Sequence, residues 1–138
     1  MNIDLSGKVA LVTGATGELG RVMCRSLAQC GARIVMHYHQ AADRAHALQE
    51  ELAGSCIVQG DITNEADVQR MRGEATRQIG APDIIVNNAV IQYGWTTVLE
   101  QSPDDYESQF RSCVLQNVLM AQAFVPAMIE KGWGRVIG

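Results

Sequence analysis

Short apolar runs alternate along this chain with longer stretches in which apolar residues recur every three or four positions. The first run, "KVALVTG" at residues 8–14, is continuously apolar, which is typical of a strand buried on both faces. Residues 17–30 then carry apolar side chains at helical spacing, and Gly31 stands where a helix C-terminal glycine belongs. The opening therefore predicts a strand, a glycine-rich turn and an amphipathic helix.

The same alternation continues through the rest of the sequence. Four further strands are predicted at "ARIVMHYH", "SCIVQGD", "PDIIVNNA" and "GRVIG". Strands that alternate with helices require a parallel sheet covered by helices on both faces. The predicted fold is therefore α/β, a Rossmann-type doubly wound parallel sheet that is truncated after about five strands, with the fifth as an exposed apolar edge.

Capping residues place the later helices. Thr63 or Asn64 is suited to cap the helix that ends at Gly80. Ser102, followed by a proline at the first helical position, predicts the start of a long last helix. That helix reaches toward residue 131 and is expected to bend at Pro126.

Composition narrows the class of protein. The chain has 138 residues, of which 47% are hydrophobic and 19% charged, enough for one domain with a core. The net charge is −4 and basic residues do not cluster, which argues against a nucleic-acid or anionic-membrane partner. We find no secretory signal and no apolar run of membrane-span length, so we expect a cytoplasmic protein.

The cysteines do not indicate a metal site. None of them forms a C-x-x-C pair, and the histidines do not complete a zinc spacing. Each cysteine has apolar neighbours, so we expect buried thiols. They are Cys24, Cys30, Cys56 and Cys113.

Three glycines separate the first strand from the first helix. Gly14 permits a tight turn, Gly17 permits close approach to a phosphate, and Gly20 lets the helix pack against the sheet. The helix N-terminus adds unpaired N–H groups and a partial positive charge. This placement predicts a dinucleotide pyrophosphate site, against the alternative of a tight turn with no ligand. Glu18 would repel a phosphate, so we expect its carboxylate to face solvent.

The end of the second strand bears on the type of dinucleotide. Sites for NAD commonly place an acid there to bind the ribose 2′-hydroxyl. Here residues 37–40 read "HYHQ", and the first acid afterwards is Asp43. We therefore expect NADP, with His39 or Arg44 meeting the 2′-phosphate, while NAD stays open. The alternative is that these are ordinary polar residues at an exposed strand end.

Four motifs together resemble the short-chain dehydrogenase/reductase family. They are "TGATGELG" at 13–20, "GDIT" at 60–63, "NNAV" at 87–90 and "VPAMIEKGWGRVI" at 125–137. They span nearly the whole chain in the family's order, and their combination is more specific than any one of them. The resemblance implies that residues 1–138 are the N-terminal part of a single dinucleotide-binding Rossmann domain.

The resemblance also implies roles for individual residues. Asp61 would accept a hydrogen bond from the adenine amino group, and Thr16 would reach the adenine ribose. Asn87 and Ala89 would shape the wall beside the adenosine, with Asn87 also tying strand ends together. The full candidate set for cofactor binding is Gly14, Thr16, Gly17, Glu18, Leu19, Tyr38, His39, Asp61, Ile62, Asn87, Ala89 and Val90. A turn role without a ligand is the alternative for Asp61 and for Asn87.

The chain departs from the family's pattern in several places. The glycine spacing is that of the family's extended branch, whereas the common branch has its middle glycine where Glu18 stands. Val90 replaces the usual glycine of the "NNAG" motif. Cys113 aligns with the asparagine that often joins the proton relay, and Asn117 lies about one helical turn further on. We expect Cys113 to be a core thiol.

Residues 92–95 follow the fourth strand, where nicotinamide and substrate would lie. This segment contains Gln92, Tyr93 and Trp95. A plain surface loop is an equal alternative for them.

The family's catalytic serine, tyrosine and lysine are not found in this sequence. The tyrosine and lysine form a Y-x-x-x-K pair on one helical face, where the ammonium can stabilise a phenolate. The residues four positions after Tyr38, Tyr93 and Tyr106 are alanine, threonine and phenylalanine. We therefore assign no catalytic residue to this chain.

Three interpretations of function follow from the resemblance. The first is a fragment, inactive alone, of an NADP-dependent oxidoreductase that interconverts a carbonyl and a secondary alcohol. Its full-length form would be a homo-oligomer, and the nearest-looking relatives are 3-oxoacyl reductases and sugar-alcohol dehydrogenases. The second is a non-catalytic dinucleotide-binding module. The third is one half of a split enzyme that is completed in trans.

Overall fold

The computed structural model describes residues 3–138 and contains the five predicted strands. The strands are β1 (Val9–Val12), β2 (Arg33–Tyr38), β3 (Cys56–Gln59), β4 (Ile84–Val86) and β5 (Arg135–Ile137). The α-helices are α1 (Glu18–Gln29), α2 (Ala42–Glu51), α3 (Glu65–Ile79), α4 (Pro103–Phe110) and α5 (Gln116–Lys131). The predicted alternation of strands and helices is confirmed.

All four strand pairings are parallel, and the sheet has the order β3-β2-β1-β4-β5. Leu11 in the central strand pairs with Val35 on one side and with Ile85 on the other. The chain reverses its direction of travel across the sheet between β1 and β4, which confirms the doubly wound fold. β5 is an edge strand whose Val136 and Ile137 are about half exposed, as expected.

Both faces of the sheet are covered, which explains the continuous apolar run in β1. Val9 and Leu11 pack into one cluster with side chains of α3 and α5, including Met71 and Phe124. Alternate positions of β1 pack into a second cluster with side chains of α1 and α2, including Cys24 and Leu48. Successive side chains of a strand point to opposite faces, so every residue of β1 has to be apolar.

The helix ends agree with the capping residues in the sequence. Asn64 rather than Thr63 caps α3, because its Oδ1 accepts the Asp67 N–H at 3.1 Å. Ser102 caps α4 by accepting the Asp104 N–H at 3.2 Å. The glycines after α1 and α3 have φ values of 96° and 103°, in the region that favours glycine.

The last helical stretch is irregular at a point that the sequence did not predict. Residues 111–115 form a π-helical turn between α4 and α5, and α5 then runs through Pro126 to Lys131. Between residues 111 and 120 the buried positions are Ser112, Gln116 and Met120. An extra residue in a π-helical turn rotates the helix surface, so it changes which side chains face the sheet.

The expectation of four buried thiols is half right. Cys24 and Cys56 are buried, and burial raises the pKa of Cys24 to about 12 and that of Cys56 to about 11. Cys30 is half-buried, and Cys113 is exposed, so the prediction of a core thiol at 113 is wrong. Ser112 takes the buried position beside it in the π-helical turn.

One helical stretch bears on the expectation that no apolar run reaches membrane-span length. By length and composition alone, the helical stretch Pro103–Lys131 passes the criteria for a membrane span. Residues 112–129 contain no charged side chain, although glutamine and asparagine interrupt the apolar run. A core helix of a soluble protein passes the same test. Met120, Phe124 and Met128 of this stretch are buried in the cluster against the sheet.

Candidate functional site

A groove of about 830 Å³ lies at the carboxyl ends of the central strands, beside the neighbouring ends of β1 and β4. It is formed by the turns after β1, β2, β3 and β4. Most of the candidate residues line it: Gly14, Thr16, Gly17, Glu18, Leu19, His39, Asp61, Ile62, Ala89 and Val90. Tyr38 and Asn87 lie outside its lining.

The lining also includes residues that the sequence did not single out for cofactor binding. They are Gly20, His37, Gln40, Ala41, Gly60, Asn88 and Ile91. Gln92 lines the groove as well, whereas Trp95 is fully exposed to solvent. Most of these residues follow a strand, which was the available signal, whereas His37 lies within β2 and Gly20 within α1. Which of two neighbouring side chains faces the groove depends on the twist of the turn.

Two glycines of the first turn are required by close backbone contacts. Gly14 has φ +62°, and a Cβ there would lie 3.0 Å from the Ala89 Cα. A Cβ on Gly20 would overlap the Gly14 carbonyl oxygen and lie 2.9 Å from the Ala15 Cα. Side chains at either position would push the turn away from β4 or from α1. The groove therefore depends on glycine at both.

The N-terminus of α1 opens into this groove without a side-chain cap. Its N-cap is Gly17, so the first N–H groups of the helix lack a capping oxygen within the described chain. Glu18 forms an ion pair with Arg21, and its side chain is 83% exposed. The carboxylate faces solvent as expected, and the N–H groups with their partial positive charge remain available to an anion.

α2 also begins at the groove without a side-chain cap. Its N-cap, Ala41, and the preceding Gln40 both line the groove. By contrast, α3 and α4 begin elsewhere and are capped by side chains. Within the described chain, the two helices that begin at the groove therefore have no side-chain oxygen on their first N–H groups, although the Ala42 N–H of α2 donates to the Gln40 carbonyl oxygen at 3.0 Å.

Thr13 and Asn88 join the ends of β1 and β4. The Thr13 Oγ1 accepts the N–H groups of Asn88 and Ala89, each at 2.9 Å. The Asn88 Nδ2 donates to the carbonyl oxygens of Thr13 at 3.0 Å and Gly14 at 3.3 Å. These bonds hold the wall of the groove against the glycine turn.

Asn87 ties strand ends through its backbone and not through its side chain. Asn87 does donate its backbone N–H to Ile137 at 2.8 Å, which continues the ladder to β5. Its side-chain amide, however, is buried without a partner in the described part of the chain. Asn88 carries the side-chain tie because adjacent side chains at a strand end point in opposite directions.

A carboxylate is fixed beside the groove at the turn after β3. The Asp61 Oδ1 accepts from the N–H and the hydroxyl of Thr63, at 2.8 and 2.7 Å. The Asp61 N–H in turn donates to the Asp67 Oδ2 at 2.8 Å. This bond is the main reason that the pKa of Asp67 lies below its usual value, and Arg70 adds to the effect. Asp61 is both a turn residue and a groove residue.

His37 is buried beneath the groove and contacts two of its turns. Its Nδ1 accepts the Gly14 N–H at 3.0 Å, and its Nε2 lies 2.9 Å from the Gly60 carbonyl oxygen. Burial lowers the pKa of His37, and the nearby Gly60 carbonyl partly opposes that effect. The imidazole is therefore neutral at pH 7, with its proton on Nε2.

The segment between β2 and α2 carries no acid, and Asp43 in the first turn of α2 is the first one after the strand. His39 lines the groove, and its carbonyl oxygen accepts from Gln59 Nε2 at 3.0 Å. Arg44, the other candidate for a 2′-phosphate, lies on α2 outside the groove lining. Residues 37–41 contain no acid, so a phosphate here would meet no carboxylate from this segment.

α5 contacts the groove wall through a residue that the sequence did not single out. The Gln116 Nε2 donates to the Ala89 carbonyl oxygen at 2.7 Å. Asn117 points elsewhere, since its Nδ2 donates to the Cys113 carbonyl oxygen at 2.6 Å within the same helical stretch. The π-helical turn brings Gln116 to the sheet and leaves Cys113 in solvent.

Comparison with known proteins places this geometry in context. The model of the short chain dehydrogenase family matches residues 8–138. A D-beta-hydroxybutyrate dehydrogenase of Rhizobium meliloti (strain 1021) is 30% identical, over 94% of this chain and 52% of its own length.

Two solved structures share the fold at similar identity. A gluconate 5-dehydrogenase from Burkholderia cenocepacia J2315, in complex with NADP and tartrate, has a TM-score of 0.85 and 29% identity, covering 98% of this chain and 54% of that one. A 3-ketoacyl-(acyl-carrier-protein) reductase from Brucella melitensis, complexed with NADH, has a TM-score of 0.85 and 31% identity, covering 94% and 53%. The chain spans about half the length of these relatives.

Proposed function

Because the chain belongs to the short-chain dehydrogenase family, we propose that its groove binds a nicotinamide dinucleotide and prefers NADP. We further propose that it serves an oxidoreductase that interconverts a carbonyl and a secondary alcohol. The observation that carries the proposal is the N-terminus of α1, which has no side-chain cap. It opens into a groove at the point where the order of the strands in the sheet reverses, between β1 and β4.

The pyrophosphate is the part of the cofactor that this site fits best. The first turn of α1 presents N–H groups and the positive end of the helix dipole, and the glycine turn lets an anion approach the backbone. The Gly14 N–H itself is already taken by His37. The Gly17 N–H donates to the Gly14 carbonyl oxygen at 3.1 Å, so the binding groups are the N–H groups from Glu18 onward rather than the whole turn.

The adenosine half would lie between the turns after β2 and β3. Asp61 can accept the adenine amino group, and Ile62 supplies an apolar surface beside it. The preference for NADP is supported by His39 and by the N-terminus of α2, whose N-cap, Ala41, provides no side-chain cap. Both favour a 2′-phosphate, and residues 37–41 bring no acid to repel it.

The reaction class comes from the relatives, whose names all describe oxidoreduction at a hydroxyl or keto group. The bound nicotinamide would supply or accept the hydride. A general acid, which the family provides from a Y-x-x-x-K pair, is also needed to move the hydroxyl proton. Because this chain contains no such pair, we propose that alone it binds the cofactor without turnover.

The proposal is tested by titrating the purified chain with NADPH and NADH and following the fluorescence of the reduced nicotinamide. We expect saturable binding of both, with NADPH about tenfold tighter, the range for one charge-assisted hydrogen bond. His39→Gln should narrow that preference, whereas His46→Gln, on the exposed side of α2, should not.

Four results would change the proposal. Failure to bind either dinucleotide would remove it, and equal affinity would remove only the preference for NADP. Oxidation of NADPH on addition of a ketone to the pure chain would contradict binding without turnover. If turnover appears only when a second polypeptide is added, the split-enzyme interpretation replaces the fragment. The intact mass of the native protein then separates a binding module of this length from a longer enzyme.

A further inference from the structure

His37 occupies a place where its two ring nitrogens connect the two turns that face each other across the groove. One nitrogen accepts from Gly14 in the turn after β1, and the other contacts the Gly60 carbonyl in the turn after β3. The side chain is 2% exposed, and it belongs to the strand that lies between β1 and β3. His37 is therefore a buried side chain beneath the groove that links the turns after β1 and β3 through hydrogen bonds.

Only one form of the imidazole satisfies both contacts. The Gly14 N–H needs an acceptor at Nδ1, and the Gly60 carbonyl needs a donor at Nε2. Protonation of Nδ1 would set an N–H against the Gly14 N–H and leave a buried donor without a partner. Ala89 lies close on one side of Gly14, where a Cβ would come within 3.0 Å of the Ala89 Cα, so the turn has little room to move in that direction.

We propose that neutral His37 is a positioning residue for the cofactor, and that its protonation displaces the glycine turn and weakens dinucleotide binding. The inference rests on the proposed function, since it assigns a pH dependence to the same groove. It adds a residue that contacts neither phosphate nor nicotinamide but acts through Gly14 and Gly60.

The charges around His37 are few and can be separated by mutation. Burial is the main reason that the pKa of His37 is lowered, and His39, just after β2, lowers it further. The Gly60 carbonyl and Asp61 after β3 act in the opposite direction but do not outweigh burial. The turn after β1 has no charged side chain between Thr13 and Gly17. Beyond it, Glu18 is exposed and paired with Arg21, and Asp67 of α3 accepts from Asp61.

The sign of the pH effect distinguishes positioning from simple charge. A cation beneath the phosphate site would attract an anion, so charge alone would tighten binding as the pH falls. Loss of the Gly14 contact would instead weaken binding. NAD⁺ is the suitable probe, because the 2′-phosphate of NADP titrates with a pKa of about 6 and would obscure the effect.

The experiment measures the dissociation constant of NAD⁺ by calorimetry between pH 8 and pH 4.5 for the wild type and three variants. His37→Asn keeps an acceptor near Gly14 but does not titrate, His37→Ala removes the acceptor, and His46→Gln changes an exposed histidine. We expect wild-type affinity to fall about tenfold on protonation, the cost of one unsatisfied buried donor. His46→Gln should keep that profile.

The variants should separate the acceptor from the charge. At pH 8, His37→Ala should bind NAD⁺ about tenfold more weakly, while His37→Asn should stay near the wild type and lose the pH dependence of His37. Tighter binding of the wild type at low pH would overturn the proposal. An identical profile in His37→Asn would overturn it as well.

A measurement on the chain without cofactor separates this inference from the proposed function. Imidazole ¹⁵N NMR should show the proton of His37 on Nε2 at pH 7.5, and its titration should shift the Gly14 amide resonance. A proton on Nδ1, or a Gly14 resonance that does not follow the titration, would refute the coupling of His37 to the Gly14 turn. If NAD⁺ fails to bind at pH 8 while both signatures are seen, the proposed function fails and the coupling of His37 to the turn stands.

Discussion

At the scale of the residue, the groove depends on a few positions where backbone passes very close to backbone. A Cβ on Gly20 would enter the space of the Gly14 carbonyl, and a Cβ on Gly14 would press on Ala89. The Thr13 hydroxyl occupies the same junction and binds two N–H groups of the β4 end. These contacts place α1 and the end of β4 within reach of one ligand.

Gly20→Ala tests this close packing. We expect the free energy of unfolding to fall by about 1–3 kcal/mol, because the obstructing atoms belong to the backbone and the turn has to shift. The shifted turn should also weaken dinucleotide binding. Urea unfolding and a cofactor titration measure the two effects.

Gly73→Ala is the matched control. Gly73 lies inside α3, and a Cβ there meets nothing within 4 Å. Alanine should therefore stabilise the chain by about 0.5–1 kcal/mol through the lower entropy of its unfolded state. Equal destabilisation by both substitutions would show that the contact at Gly20 is not the cause.

At the scale of the element, the way in which a helix begins distinguishes its role. α1 and α2 begin at the groove with glycine and alanine as N-caps, whereas Asn64 and Ser102 cap α3 and α4. Side-chain capping satisfies the same N–H groups that an anion would bind. α3 instead contributes through Asp67, which holds the Asp61 turn in place.

Asp67→Ala tests this contribution of α3. It removes the acceptor for the Asp61 N–H, so we expect a loss of about 1 kcal/mol in unfolding free energy and a several-fold weaker dinucleotide affinity. Asp67 does not line the groove, so the change in affinity would report the displacement of Asp61. Glu65→Ala is the control, since it removes a carboxylate of the same first turn that has no hydrogen bond within residues 3–138. Unchanged affinity in Asp67→Ala would mean that the Asp61 turn holds its own shape.

At the scale of the whole molecule, one buried carboxylate at the opposite end of the sheet links three elements. The Asp83 Oδ2 accepts the Val9 N–H at 2.9 Å, and its Oδ1 binds the Lys131 Nζ at 2.9 Å. Burial raises the pKa of Asp83, but these two partners together outweigh burial and lower it overall. β1, the start of β4 and the end of α5 are therefore held together by a group that is charged at neutral pH.

Asp83→Ala should lower the unfolding free energy at pH 7 by about 2–3 kcal/mol, because the Val9 N–H loses its acceptor and Lys131 loses its partner. A carboxyl whose folded-state pKa is lowered contributes stability that is present above its ordinary pKa, about 3.9, and is lost as the pH falls through the folded value. The difference between wild type and variant should therefore shrink as the pH falls below the ordinary carboxyl pKa of about 3.9.

Denaturant unfolding at pH 7 and in acid measures this difference. Glu130→Ala, an exposed change next to Lys131, should alter stability by less than about 0.5 kcal/mol at either pH. If the effect of Asp83→Ala is the same at both pH values, the ionised form of the carboxyl is not what stabilises the three elements.

Much of this protein is determined by the sequence alone, because its signals are local. Apolar runs and helical stripes predict all five strands, and Asn64 and Ser102 predict helix starts, since each depends only on side-chain period or on a contact a few residues away. The glycine turn and the order of the motifs likewise predict the family and most of the groove lining. All of these are properties of neighbouring residues.

Tertiary structure decided the features that depend on which way a side chain turns. Whether Asn87 or Asn88 ties the strand ends depends on the twist at the end of β4, and the exposure of Cys113 depends on a π-helical turn with no local signal. In the sequence, His37 is only one residue of a predicted buried strand. In the fold, the turns after β1 and β3 bring Gly14 and Gly60 to its two ring nitrogens. Its role requires groups 23 residues away on either side, and only folding sets those distances.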